Sequence, residues 1–91
     1  MASSYRRVCQ SCGMPLAEPV QYGSNSDGTP NLEYCTYCFQ KGGFTNPSMK
    51  QDEMVDLVTR FWADRNGVAL GSARRTVGPM IAGLKRWRYQ A

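Results

Sequence analysis

Cys9-Gln10-Ser11-Cys12-Gly13 and Cys35-Thr36-Tyr37-Cys38 are the two stretches on which the reading of this chain turns. Together they make the pattern C-x2-C-x22-C-x2-C and hold all four cysteines of the 91 residues. A two-residue spacer lets both thiolates of a pair turn toward one point, and two such turns complete a tetrahedral shell for Zn²⁺. Gly13 suits the tight turn after the first pair, where backbone N–H groups point at the sulfurs. The 22 residues between the pairs are enough for a β-hairpin. The expectation is one Zn²⁺ per chain, held by Cys9, Cys12, Cys35 and Cys38.

Other uses of four cysteines fit less well. Four cysteines allow three disulfide connectivities. The opening MASSYRR has no apolar run behind its basic pair, so nothing in it directs the chain to an oxidising compartment, and a cytoplasmic location is expected. A redox C-x-x-C belongs beside a βαβ pattern, and none is visible. An iron–sulfur cluster also takes four thiolates, but paired knuckles suit a mononuclear site better.

A chain of 91 residues makes one compact domain or two very small modules. At this size hydrophobic burial alone is marginal, and a metal acts as a staple whose binding energy becomes folding energy. No apolar run approaches the roughly 20 residues that span a bilayer, so no membrane is expected as a partner. The formal charge is +4, and four thiolates around a dication lower it to about +2. Residues 1–65 carry six Lys/Arg and seven Asp/Glu, whereas 66–91 carry five Lys/Arg and no acid. Those five, Arg74, Arg75, Lys85, Arg86 and Arg88, are the candidate contacts for an anionic partner, with a solvated helix face as the preferred alternative.

The fold class read from this pattern is small α+β, a Cys₄ zinc ribbon of short antiparallel β-hairpins followed by a two-helix hairpin. Residues 1–7 read as a flexible tail and 8–44 as the ribbon. Residues 45–91 read as a helical extension that packs on itself, on the ribbon or on a second subunit. Val20-Gln21-Tyr22 and Leu32-Glu33-Tyr34 are the predicted strands, with Asp27-Gly28 as the turn signal between them. Asn25-x-Asp27-Gly28 faintly resembles part of a calcium loop, but the remaining ligands are missing and a turn is the better reading.

Residues 48–66 predict an amphipathic helix, capped by Ser48 with Gln51 completing a capping box. Asp52, Glu53 and Asp56 complement the dipole at its start. Met54, Leu57, Val58, Phe61 and Trp62 form its apolar stripe, and Asn66-Gly67 stops it. A second helix falls within 72–89, with Val77, Met80, Ile81, Leu84 and Trp87 on one face. It begins at Ser72 with a kink at Pro79, or at Pro79 itself. On one unbroken helix, Arg75 and Arg86 share a meridian opposite the apolar face.

Cys9-Gln10-Ser11-Cys12-Gly13-Met14-Pro15-Leu16 resembles the opening of the putative zinc ribbon domain family, small bacterial and archaeal proteins of unassigned function. The resemblance continues through Gly23-Ser24-Asn25-Ser26-Asp27-Gly28 and Glu33-Tyr34-Cys35-Thr36-Tyr37-Cys38-Phe39-Gln40. It resumes at Gly43-Phe44-Thr45 and at Met49 to Met54, and ends at Leu84-Lys85-Arg86-Trp87. It implies a ribbon with the four cysteines as ligands and a helical extension behind it. Ribbons of this family are also attached to regulator-like domains, which implies a transcription-related role. Pro30 and Val77-Gly78-Pro79 depart from the pattern and are expected to alter a turn and a helix start.

Catalysis is not expected. The chain has no histidine, and it shows neither a nucleophile–base constellation nor a phosphate loop. A Cys₄ shell leaves no open coordination position, so the metal holds shape. The expected function is a structural zinc-binding module that mediates macromolecular interaction. A protein partner is preferred over nucleic acid, and a homodimer through the helices is a further form of the same expectation. The alternative is a zinc and thiol redox switch, in which oxidation of the cysteines expels the metal and unfolds the ribbon.

Overall fold

The computed structural model describes residues 7–88. The chain divides into two compact units between Pro47 and Ser48. Most of the expected N-terminal tail lies outside the described residues. Its last residue, Arg7, is held in place. The Arg7 carbonyl accepts the Leu16 N–H at 2.8 Å, and its guanidinium donates to the Leu32 carbonyl at 3.3 Å.

The first unit contains two antiparallel hairpins. Strand β1 (Tyr22–Ser24) pairs with β2 (Pro30–Cys35), and β3 (Phe39–Gln40) pairs with β4 (Gly43–Phe44). β1 starts later than the sequence predicts, because Pro19–Gln21 forms a 3-10 turn. Pro19 suits the first position of such a turn, and the Gln21 side chain closes it by accepting the Ala17 and Glu18 N–H groups. The predicted strand Leu32-Glu33-Tyr34 lies inside β2. Pro30 is accommodated as its first residue, the strand position where a missing N–H costs least.

The turn between β1 and β2 is a closed polar knot. Asn25 accepts Gly28 N–H at 2.9 Å and donates to the Thr29 carbonyl at 2.8 Å. The Asp27 carboxylate accepts both Thr29 N–H and Thr29 O–H, which holds its carboxyl below the usual carboxylate range. That carboxylate serves the turn, in keeping with the turn reading over the calcium one.

The β3–β4 hairpin has no counterpart among the predicted strands. Its turn places Lys41 at φ 54° and Gly42 at φ 84°. Two consecutive positive φ values are those of the tight turn that matches strand twist. Strands of two residues are too short to show alternation, so only the Lys41-Gly42-Gly43 string marked the site. β3 also approaches β1 very closely. A Cβ on Gly23 would lie 2.4 Å from the Phe39 carbonyl oxygen and 3.0 Å from that of Cys35. Only glycine fits there. Tyr34, Phe39 and Phe44 then pack as a trio, with ring centroids 5.0–5.4 Å apart in stacked and edge-on pairs.

The second unit is built on α1 (Gln51–Asn66) and α2 (Leu70–Ala82), which pack on each other, with a one-turn α3 (Lys85–Arg88) behind them. The α1 cap differs from the expected one. The helix starts at Gln51 with Lys50 at its cap, and Glu53 rather than Gln51 reaches back to the cap N–H at 2.7 Å. The lysine side chain has no acceptor to return that bond, so the cap is one-sided. The stop is as expected. Gly67 is left-handed at φ 63°, and Val68 N–H closes on the Ala63 carbonyl.

The buried side of α1 is rotated from the predicted stripe. Met54, Val55, Thr59 and Ala63 are buried, and Val58 and Trp62 are half-buried. Leu57 and Phe61 face solvent at 40% and 69% exposure. Met54 is buried as predicted, but beyond it burial passes to the smaller Val55, Thr59 and Ala63, a line that the large side chains concealed.

α2 begins at Leu70, so neither Ser72 nor Pro79 starts it. Pro79 sits inside the helix, and its missing N–H leaves the Arg75 carbonyl without its usual intrahelical donor. The predicted face holds: Val77 and Ile81 are fully buried, Leu84 and Trp87 nearly so, and Met80 half-buried. The helix breaks at Gly83, however, where one N–H is shared between the Pro79 and Met80 carbonyls. The break removes Arg86 from the Arg75 meridian. Arg86 is only 6% exposed, with its guanidinium 4.5 Å from the centre of the Trp87 ring.

Two substitutions test this architecture. Gly23→Ala is expected to destabilise the first unit by about 1–3 kcal/mol, since the Phe39 carbonyl oxygen must move and the Cys35 and Tyr34 oxygens must give way. Thermal unfolding of the metal-loaded protein measures it, and an unchanged midpoint contradicts the close approach. Arg86→Glu is expected to lower stability by about 3 kcal/mol through an unmatched buried charge, whereas Arg75→Glu, on the exposed side of α2, changes it by less than about 0.5 kcal/mol.

Candidate metal centre

Cys9, Cys12, Cys35 and Cys38 converge in the first unit, with all four sulfurs within 4.8 Å of one another. The sulfurs of Cys12 and Cys35 are 3.8 Å apart, and all four cysteines are free of disulfides. A tetrahedron with zinc–sulfur bonds of about 2.3 Å has edges of about 3.8 Å. The Cys12–Cys35 edge matches a zinc shell, and the remaining sulfurs lie close enough to complete one.

The local backbone explains the convergence. In the first knuckle, Gly13 N–H bonds to the Cys9 carbonyl at 2.9 Å, with Gly13 at φ 81°. This turn aims the Ser11 and Cys12 N–H groups at the Cys9 sulfur, at 3.4 and 3.5 Å. Such N–H donors stabilise a thiolate and fix its direction. The isolated bridge between Val8 and Pro15 and the bond from Cys9 N–H to the Met14 carbonyl close the loop behind them. In the second knuckle Cys38 N–H bonds to the Cys35 carbonyl at 3.1 Å. The Tyr37 carbonyl accepts the Thr45 hydroxyl at 2.6 Å, and Gln40 reaches back to Thr36.

An irregularity in β2 brings the knuckles together. The β1–β2 register jumps from Tyr22↔Cys35 to Gly23↔Asn31, leaving residues 32–34 as extra length on β2. The Asn31 side chain accepts the Glu33 and Tyr34 N–H groups that this bulge releases, at 2.8 and 3.0 Å. The Glu33 carbonyl is thereby turned toward the first knuckle, where it accepts Gln10 N–H at 2.7 Å. Thr36 N–H meanwhile bonds to the Gln21 carbonyl. The spacing of the cysteines shows none of this.

The cage is mostly buried. Cys9 and Cys35 are fully buried, Cys38 nearly so, and Cys12 is half-buried. Hydrogen bonds from Cys12, and next from Cys35 and Cys38, pull the Cys9 thiol far below its ordinary range. Cys12 is pushed far up, first by its hydrogen bond with Cys35. Without a metal the first thiolate forms at the expense of the others, and a bound dication removes that conflict. Four convergent sulfurs, backbone donors on one of them and no carboxylate or imidazole in the shell suit zinc.

The five basic candidates differ in their surroundings. Arg74 is paired with Asp56 on α1, whose carboxyl it holds below the usual range. Both side chains are about half exposed, so the pair adds little stability. Arg75 and Arg88 are exposed, Lys85 is half-buried, and Arg86 is buried.

Loading the metal-free protein with Zn²⁺ at neutral pH is expected to release protons, that of Cys12 among them. A pH-indicator titration reads this directly, and binding without proton release contradicts thiolate ligation.

No curated protein and no solved structure matches the chain significantly. The family described as "Putative zinc ribbon domain" matches residues 8–88, a span that takes in both cysteine knuckles, the β2 bulge and all three helices. The chain belongs to that zinc ribbon family.

Proposed function

We propose that the protein is a structural zinc module that holds one Zn²⁺ per chain, performs no catalysis and presents its surface to a protein partner. The observation that carries this reading is the donor set. Four cysteine sulfurs converge, and four are enough to fill a tetrahedral shell, which would leave no position for a substrate or an activated water. The metal's work is then to hold the two knuckle loops together.

The surface favours protein over nucleic acid. Among the basic residues of the C-terminal part, Arg74 is ion-paired and Arg86 is buried, so the expected basic face is thinned. Large apolar side chains are exposed instead. These are Phe61 and Leu57 on α1, and Tyr37, at 76% exposure, on the second knuckle. Aromatic side chains in such positions are the usual anchors of protein interfaces. A second copy of the chain is one such partner. No helix among the described residues is long and apolar enough to cross a membrane. Ligation by four reduced thiolates suits the cytoplasm.

Cys35→Ser is expected to lose the metal and the fold of the ribbon together, because one missing ligand opens the closed shell. Native mass spectrometry and the dispersion of ribbon NMR signals read the two effects. A folded, metal-free Cys35→Ser ribbon overturns the structural role.

A further inference from the structure

The four ligands are not equally placed. Cys9 and Cys35 have no solvent exposure and Cys38 has 8%, whereas Cys12 is half-buried. Its sulfur lies 3.8 Å from that of Cys35, which belongs to the other knuckle. Two backbone N–H groups point at the Cys9 sulfur and draw on its electron density, on a ligand with no exposure to solvent. Cys12 is therefore the most exposed of the four ligand residues, and it has a sulfur of the other knuckle within 3.8 Å.

We propose that Cys12 is the oxidant-sensitive ligand of this site, that a hydroperoxide modifies it first, and that the product is a Cys12–Cys35 disulfide between the knuckles. The inference rests on the zinc reading above. With hydrogen peroxide, the Cys12 thiolate attacks one oxygen. An S–O bond forms, the O–O bond breaks, and hydroxide leaves with its electron pair. The Cys35 thiolate then attacks the sulfenic sulfur. The S–S bond forms, the S–O bond breaks, and a second hydroxide leaves. Two thiolates lose two electrons in all, and one peroxide becomes two hydroxides. The sulfurs close from 3.8 Å to about 2.0 Å in this step. Two thiolates remain, too few for the closed shell, and the metal is released.

The choice of pair has a structural consequence. A Cys12–Cys35 bond joins the same two loops that the metal joined, so the oxidised ribbon stays closed. A bond within either knuckle would join nothing across the site. The redox reading of the sequence, in which oxidation unfolds the ribbon, requires the second outcome.

The test uses the zinc-loaded wild-type chain, because replacing a ligand removes the site itself. Its metal content is first fixed by native mass spectrometry. One equivalent of hydrogen peroxide is then added, with zinc release followed by a chromophoric chelator. A parallel sample contains a sulfenic acid trap. Digestion after glutamate under non-reducing conditions cuts at Glu18 and Glu33, which puts the knuckles on separate peptides. The expected result is trap adduct on Cys12, one zinc released per disulfide, and the two knuckle peptides held together through Cys12 and Cys35. Adduct appearing first on Cys9, Cys35 or Cys38 overturns the proposal. So do separate peptides carrying internal disulfides, or a site that keeps its zinc and its thiolates. A protein isolated without zinc overturns the underlying zinc reading instead, and this proposal with it.

Discussion

Convergence of four cysteine sulfurs on one point, where they can hold a metal ion, is the constraint on which the ribbon depends. The first unit has short strands, two of them of only two residues, and its apolar core amounts to Leu16, an aromatic trio and the cysteines themselves. Strands of that length do not persist in water without a further source of free energy. Metal ligation supplies it, and the remaining features act to bring the sulfurs within reach. The Gly13 turn aims the first pair. The β2 bulge and Asn31 tie the first knuckle to the second strand. Gly23 lets β3 close against β1.

This arrangement separates the two halves of the chain in their source of stability. The helical unit buries Val77, Ile81, Ala73 and Trp87 and carries proper stops at Gly67 and Gly83. Its stability comes from packing between helices, in the ordinary way. The ribbon's comes from coordination. Chelation is therefore an event in the ribbon, while core substitutions such as those at Val77 or Ile81 are events in the helices.

The sequence made the metal site legible because coordination chemistry imposes a spacing that few other purposes share. It made the stop of α1 legible through Asn66-Gly67, and the buried face of α2 through Val77, Ile81 and Leu84. It misplaced what depends on partners distant in the chain. Leu57 and Phe61 satisfy helical periodicity, yet Val55, Thr59 and Ala63 are the buried positions. Arg86 has the composition of a surface residue, but the break at Gly83 turns it inward beside Trp87. The β2 bulge was hidden because a register shift leaves no repeat to find. Its signature is a carbonyl aimed at Gln10, which is a property of the backbone.

The central claim is a closed shell of four sulfurs, and X-ray absorption at the zinc edge tests it most directly. The account predicts four sulfur scatterers at about 2.3 Å and no light-atom ligand. A shell of three sulfurs with an oxygen or nitrogen at about 2.0 Å would contradict it, since an open position would make the metal available for chemistry.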